Sequence, residues 1–344
     1  MKKLKILLMV HETLVPPPDL NGHTEKEIDV WRTEYNVMST LANLGHDVRV
    51  IGIGDRLTEL RESVQEWKPH VVFNLLDEFS GIVSYDHYVV AYLELIRQPY
   101  TGCNPRGMML SRDKVLTKQV LAWHRVATPA FRLFPFGKRF QEPRGLKFPL
   151  FVKSATEDAS LGISQASIVE DMTSLRERVE FIHEHVQTDA LVEEYIDGRE
   201  LYVGVLGNTR LTTLPVWEVN FGTLADVQAG IATRKVKWDR RYQAKHGIST
   251  GTAESLTSEQ NQKLKTVSKR IYRALHMSGF ARLDFRMRED GTIFLLEANA
   301  NPDLSYGEDF AESAASAGIN YPRLIMRIVN LGLSYMPEWR VFEP

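Results

Sequence analysis

Apolar runs of strand length alternate with amphipathic stretches of helix length over the first 110 residues. Strands are predicted over residues 5–10, 47–53 and 70–75, with helices over 25–44 and 58–67 between them. That order points to a parallel sheet flanked by helices, because parallel neighbours need a crossover that a helix supplies. A second zone opens with a helix over 113–124 and continues through strands at 149–153, 163–169 and 190–196. A third holds strands at 281–287 and 292–299 and closes with helices over 308–317 and 321–331. Gly318 is the expected C-cap of the first of these helices and Asn320 the N-cap of the second. The expected class is α/β joined to α+β, with domains over 1–110, 111–200 and 201–344.

The two strands of the third zone carry the most informative chemistry. Arg288-Glu289-Asp290-Gly291 joins them, and Asp-Gly is a strong signal for a two-residue hairpin loop. With Asp290-Gly291 as that loop, Asp284 faces Glu297 and Arg282 faces Asn299. Side chains alternate along a strand, so these four share one face, while Leu283, Phe285, Leu296 and Ala298 take the other and enter the core. Directly opposed carboxylates repel unless a positive charge sits between them. A magnesium ion would supply it, since carboxylate and amide oxygens suit that ion and substrate phosphates complete its shell. The bland alternative is a solvated face whose acids are neutralised by Arg282 and Arg286.

Composition narrows the class. A chain of 344 residues with 43% hydrophobic content can fill two or three cores. A net charge of -2 gives no general basis for nucleic-acid binding. The single cysteine, Cys103, leaves no internal disulfide framework and suits a reducing cytoplasm. Lys2, Lys3 and Lys5 ahead of an apolar run imitate a signal peptide, but His11 and Glu12 end that run early, so it is expected to be a buried first strand. No segment approaches the roughly 20 apolar residues of a membrane helix. Leu57 stands where a third glycine would complete Gly52-Ile53-Gly54 as a dinucleotide fingerprint, and the phosphate-loop motif is missing.

Two further segments could handle phosphate. Phe148-Pro149-Leu150-Phe151-Val152-Lys153 reads as a strand ending in lysine, followed by a loop of small residues from Ser154 to Ser164 that includes Ser160. Such a loop can turn backbone N–H groups toward phosphate oxygens while the lysine adds a point charge. Leu191-Val192-Glu193-Glu194-Tyr195-Ile196 is followed by Asp197-Gly198, a second hairpin signal, which sets Glu200 opposite Tyr195. His183 and His185 are two apart on a helix and point away from each other, so a zinc site is not expected.

Taken together, Lys153 after a strand, Leu191-Val192-Glu193-Glu194-Tyr195-Ile196, Ala281-Arg282-Leu283-Asp284-Phe285 and Leu295-Leu296-Glu297-Ala298-Asn299-Ala300-Asn301-Pro302 resemble the ATP-grasp ligases, and among them the D-alanine–D-alanine ligases. Gln98 to Cys103, Ser111-Arg112-Asp113-Lys114 and Ala314 to Ile325 extend the likeness over nearly the whole chain. The resemblance implies an ATP-grasp fold with an N-terminal parallel α/β domain and ATP held between two α+β subdomains. It implies Lys114 and Lys153 on the phosphates, Glu193, Glu194 and Ile196 around the adenine, and Glu200 on the ribose, with Ser160 in the phosphate loop. Asp284, Glu297 and Asn299 would hold two Mg²⁺ ions, with Mn²⁺ as a substitute, and Lys237 would reach the γ-phosphate from a closing loop around 228–247. Arg282 would stabilise an oxyanion, and Glu27 would meet the donor's amino group unless it merely begins an exposed helix. The activity implied is ATP-dependent amide formation through an acyl phosphate. It would act on a small-molecule carboxylate, an amino acid foremost, and a small-molecule amine, in a cytoplasmic homodimer with no nucleic-acid or membrane partner.

The chain departs from that pattern at the acceptor end. Ala159 and Trp238 stand where those enzymes carry a serine/tyrosine pair. Asp303 replaces a glycine, Glu308 the serine that holds an acceptor carboxylate, and Asp77, followed by Glu78, a histidine. An acid facing an acceptor carboxylate costs on the order of a few kcal/mol at an intermediate dielectric, so D-alanine is not the expected acceptor. Two readings of Glu308 stay open, an acceptor contact and a simple helix start. Modification of a peptide terminus and non-catalytic nucleotide-dependent regulation are the alternative functions.

Overall fold

The computed structural model describes residues 2–156, 163–224, 233, 236 and 239–341, which contain three sheets. In the first, β1 (Lys5–His11) runs parallel between β2 (Asp47–Ile53) and β3 (Val71–Asn74). Residues 6–10 are buried, as expected of a central parallel strand covered on both faces. The helix predicted over 25–44 is two helices, α1 (Glu25–Val30) and α2 (Arg32–Asn43), separated at Trp31, whose φ of -121° leaves helical geometry. That break seats the buried indole between the rings of His23 and Tyr35. After α3 (Thr58–Trp67), the helices α4 (Asp86–Leu95), α5 (Pro105–Arg112) and α6 (Lys114–Trp123) lead out of this layer.

The second sheet is antiparallel, β4 (Phe131–Phe134), β7 (Ala190–Glu194), β5 (Leu150–Ser154) and β6 (Ile168–Val169) in spatial order, backed by α7 (Met172–Phe181). Only the last two residues of the strand predicted over 163–169 pair, because Gln165–Ser167 form a 3-10 turn held by reciprocal Ser164 and Ser167 contacts. This sheet owns a core of Phe134, Leu150, Val152, Val179 and Ile182.

The third sheet comprises β8 (Arg199–Leu206), β9 (Thr212–Thr213), β10 (Trp217–Asn220), β11 (Ser249–Thr252), β12 (Phe280–Met287) and β13 (Ile293–Ala300). Its main path runs β11-β10-β8-β12-β13, with β9 on β8. The helices of this zone include α8 (Arg240–His246), α9 (Ser258–Ala274), α10 (Asp309–Ser316) and α11 (Tyr321–Ser334). Gly318 has φ +78° between the last two, and the Asn320 side chain caps α11. Ile6, Leu8 and Val10 of β1 share one core with Phe310, Leu324 and Ile328, so the first and third zones are packed as one body while the second keeps its own.

The second hairpin prediction fails. β7 and β8 belong to different sheets, so Asp197-Gly198 is a crossover and Glu200 does not face Tyr195; Glu200 lies beside Arg286 of β12 and Val219 of β10. Gly198 has φ +135°, and a Cβ there would stand 2.2 Å from the Met287 carbonyl oxygen. Glycine is therefore required for the chain to step past the end of β12, which a local turn signal cannot reveal.

Candidate active site

The β12–β13 hairpin sets Asp284 opposite Glu297 and Arg282 opposite Asn299, the predicted register, but by a different route. Arg288 N–H bonds the Thr292 carbonyl and Gly291 has φ +78°, so the loop is Glu289-Asp290-Gly291 rather than two residues. The resulting one-residue offset is undone by a bulge at Leu296, because Phe285 pairs with Leu295 while Asp284 pairs with Glu297. Leu295, not Leu296, therefore fills the core, and Leu296 is half-buried beside Glu297.

Asp284 is 4% exposed and lies in a bidentate clamp. Arg282 Nε donates to Oδ1 at 2.8 Å and Nη2 to Oδ2 at 2.9 Å, and Asn299 Nδ2 donates to Oδ2 at 3.2 Å. Burial works against the Arg282 cation, but Asp284 outweighs it and holds the guanidinium above its ordinary range. Its plane lies over the Tyr202 ring at 4.6 Å. Glu297 is held by Lys114 Nζ at 2.9 Å. Arg286, the other proposed neutraliser, serves a different acid, pairing with Glu200 at 2.6 Å while Tyr202 donates to the second Glu200 oxygen at 2.9 Å.

Lys114 is the first residue of α6, capped by Asp113, and Lys118 lies one turn later on the same face. Lys118 Nζ is 2.9 Å from Glu193 Oε1 and Lys153 Nζ is 3.2 Å from Glu193 Oε2, all three side chains being buried. Burial pushes the Glu193 carboxyl up, but Lys118 and then Lys153 pull it lower and keep it ionised. Burial lowers Lys118 more than Glu193 raises it. A crevice between α6 and β13 is lined by Ser111, Lys114, Thr117, Lys118, Leu296 and Glu297. Helix α6 thus ties the small sheet, through Glu193, to the hairpin, through Glu297. Lys118 was not singled out in the sequence, although its four-residue spacing from Lys114 was available there.

The remaining predicted residues are distributed as follows. Ile196 is buried just after β7, and Glu194 Oε1 accepts the Lys147 N–H at 3.0 Å. Glu27 is exposed and completes a capping box with Thr24, whose backbone N–H draws its carboxyl below the ordinary range. Asp77 is exposed beyond β3, while Glu78 is 3.3 Å from His11 Nε2. Asp303 Oδ1 accepts from Thr33 Oγ1 at 2.9 Å and from Ser305 N and Oγ at 2.8 Å. Glu308 occupies the N-cap position of α10 without a side-chain capping bond. Ala159, Ser160, Lys237 and Trp238 lie outside the described residues, as does much of the predicted closing loop.

Glu34, also not singled out in the sequence, is buried in the first turn of α2. Burial pushes its carboxyl up to about 7; its own backbone N–H opposes this, and the charges of Asp77 and Asp303 add to it.

Among the described residues no three His, Cys, Asp or Glu side chains form a metal site by themselves. Two carboxylates and one amide nevertheless fit magnesium, which takes its other ligands from phosphate and water. An ion here would share or displace the present contacts, because Asp284 Oδ2 already accepts from both Arg282 and Asn299.

A solved D-alanine–D-alanine ligase from Bacillus anthracis complexed with ATP covers 96% of this chain and 97% of its own, with a TM-score of 0.71 at 20% identity. A Coxiella burnetii D-alanine–D-alanine ligase covers 97% and 94% with a TM-score of 0.68 at 18% identity. The fold is the ATP-grasp fold. Residues 120–330 match the family model described as D-ala D-ala ligase C-terminus. The D-alanine–D-alanine ligase of Nitratidesulfovibrio vulgaris is 30% identical over 301 residues, 87% of this chain and 91% of that protein. An uncharacterized protein of Sinorhizobium fredii is 34% identical over 261 residues, 76% and 74% of the two chains. The chain belongs to the D-alanine–D-alanine ligase family.

Two stability predictions follow from the buried charges. Lys118→Met leaves Glu193 with one cation instead of two and is expected to cost about 3 kcal/mol in urea denaturation; an unchanged midpoint would show that Lys153 alone suffices. Folded Glu34 holds its proton more tightly than the unfolded chain, so stability falls as pH rises from about 4.5 through 7 and changes no further above that window. Relative to Glu34→Gln, the wild type should lose about 2–3 kcal/mol between acid and neutral pH; parallel stability curves for the two proteins would contradict the shift.

Proposed function

We propose that this protein is an ATP-dependent carboxylate–amine ligase that forms an amide bond through an acyl phosphate and releases ADP and phosphate. The observation that carries the reading is the square of Arg282, Asp284, Glu297 and Asn299, bordered by Lys114 and the buried Lys118–Glu193–Lys153 triad. A magnesium ion held by Asp284, Glu297 and Asn299 would neutralise charge on the phosphoryl oxygens. Lys114 is then exchanged from Glu297 to a phosphate, so one cation serves the acid before the nucleotide arrives and the nucleotide afterwards. Lys153 contributes a second positive charge, and Glu200, fixed by Arg286 and Tyr202, is oriented to accept from ribose hydroxyls. Glu193, Glu194 and Ile196 border the adenine, while Ser160 and Lys237 join from the phosphate and closing loops.

In the first step a donor carboxylate oxygen attacks the γ-phosphorus and ADP leaves. An amine nitrogen then attacks the carbonyl carbon, the C–N bond forms, the C–O bond breaks, phosphate leaves with the electron pair and the amine gives up a proton. Arg282 spends two donors on Asp284 and has three left for the oxyanion that develops between these events. Asp303 and Glu308 are the reason to read the acceptor as something other than D-alanine, with Asp77, Glu78 and Trp238 as further substrate residues. Glu27, engaged with Thr24, is the weakest member of the set as a contact for the donor's amino group. Domains over 1–110, 111–200 and 201–344, a cytoplasmic homodimer and small-molecule substrates complete the reading.

Incubation with ATP, magnesium and pooled amino acids and amines is expected to yield ADP, phosphate and a product with the summed mass less one water. Asp284→Asn should lower turnover at least 100-fold, about 3 kcal/mol in the transition state. ATP binding without turnover would instead support a nucleotide-dependent regulator, and mass gained by a peptide rather than a small molecule would support terminus modification.

A further inference from the structure

The ligase reading gives Arg282 an oxyanion to stabilise and Asp284 a magnesium ion to hold, yet the two side chains are clamped to each other. Arg282 Nε and Nη2 donate to the two Asp284 oxygens at 2.8 and 2.9 Å, and Asn299 also donates to Oδ2. An ion that takes an Asp284 oxygen competes with these donors, because magnesium demands near-ideal octahedral geometry. The guanidinium then needs another contact to stay in place, since a freed arginine side chain regains much rotamer entropy. Among the described residues, the other recorded partner of this cation is the ring of Tyr202, whose centroid lies 4.6 Å from Arg282 Cζ.

Strand pairing explains how the ring comes to lie there. Tyr202 of β8 stands opposite Asp284 of β12, and Gly204 opposite Arg282, so Tyr202 and Arg282 are diagonal neighbours on one face of the sheet. Gly204 offers Arg282 no side chain of its own. Tyr202 is 3% exposed and shares an apolar cluster with Trp217, Val219, Phe221 and Ile248, so packing fixes its ring. Its hydroxyl donates to Glu200 Oε1 at 2.9 Å, which tethers the far end of the ring. A residue that only filled this cluster would need neither the hydroxyl bond nor a cation on its face, and phenylalanine would pack there without a buried polar atom.

We propose that Tyr202 is a positioning residue that carries Arg282 on its ring face when Asp284 turns to the magnesium ion, so that the guanidinium keeps its place for the oxyanion. Resting on the ligase reading, this role adds to it how one arginine can neutralise Asp284 before the nucleotide arrives and remain in position afterwards. A ring face attracts a cation without consuming its N–H donors. The N–H groups that Asp284 releases are therefore left for the oxyanion. Because the same ring is bonded to Glu200, the acid assigned to the ribose, a single side chain holds the two ends of the site in register.

The test uses the full chain with ATP, magnesium and pooled amino acids and amines, read by ADP release. Tyr202→Phe keeps the ring and loses the hydroxyl bond, so its main effect is expected on KM for ATP, raised about tenfold. Tyr202→Met fills the space without a ring, and kcat should fall about thirtyfold below that of Tyr202→Phe. Monofluorinated and trifluorinated phenylalanine placed at the same position keep the shape and weaken the ring's attraction for a cation, and kcat is expected to fall stepwise through that series, by about tenfold at trifluorophenylalanine. A residue that serves packing alone would not respond to fluorination, and the series decides the matter even where Tyr202→Met fails to fold. Equal kcat throughout the fluorinated series overturns the role of Tyr202 and leaves the ligase intact. No ADP release by the wild type sinks the ligase reading itself, and this role with it.

Discussion

Asp284 and Glu297 face each other across a ladder, and everything around them answers that repulsion. Two like charges at this spacing are unfavourable even in water, and burial of Asp284 raises the cost. The chain meets it with Arg282 on one acid and Lys114 on the other, one from the same strand and one from α6. Because Lys118, one turn further along α6, holds Glu193 of the small sheet, the neutralisation of the hairpin and the attachment of the second sheet are mechanically one arrangement. A nucleotide entering beside α6 would meet cations already gathered, and a divalent ion would compete with Lys114 for Glu297. On the proposed reading, the side chains that compensate charge inside the protein would be the ones that compensate a phosphate.

Much of this was legible in the sequence, and the reason is periodicity. Alternation fixes which residues share a face within β12 and within β13, but the quartet across the two strands survives a turn predicted one residue short only because a bulge offsets it. The bulge at Leu296 restores the register and leaves two successive residues, Leu296 and Glu297, out of the core, which the sequence pattern does not reveal. The capping residue of α11 was similarly readable, because Asn320 acts over three residues of chain.

What escaped the sequence depends on contacts between distant segments. Asp197-Gly198 carries the local signal of a hairpin, but the carbonyl of Met287, far along the chain, is what demands glycine there. Lys118 becomes informative only when Glu193 is known to lie beneath it, and Glu34 only when its side chain is known to be buried. The acidic substitutions at Asp77 and Asp303 were visible as departures from the family pattern. The Asp303 bond to Thr33 was not, because it joins α2 to the exit of β13 across some 270 residues.

The central claim is that the hairpin square binds nucleotide through a magnesium ion. Calorimetry of a non-hydrolysable ATP analogue, titrated with and without magnesium, tests it most directly. The account predicts saturable binding that strengthens at least tenfold when magnesium is present and loses that dependence in Glu297→Gln. Equal affinity in the presence and absence of the ion, or no binding in either, would contradict it.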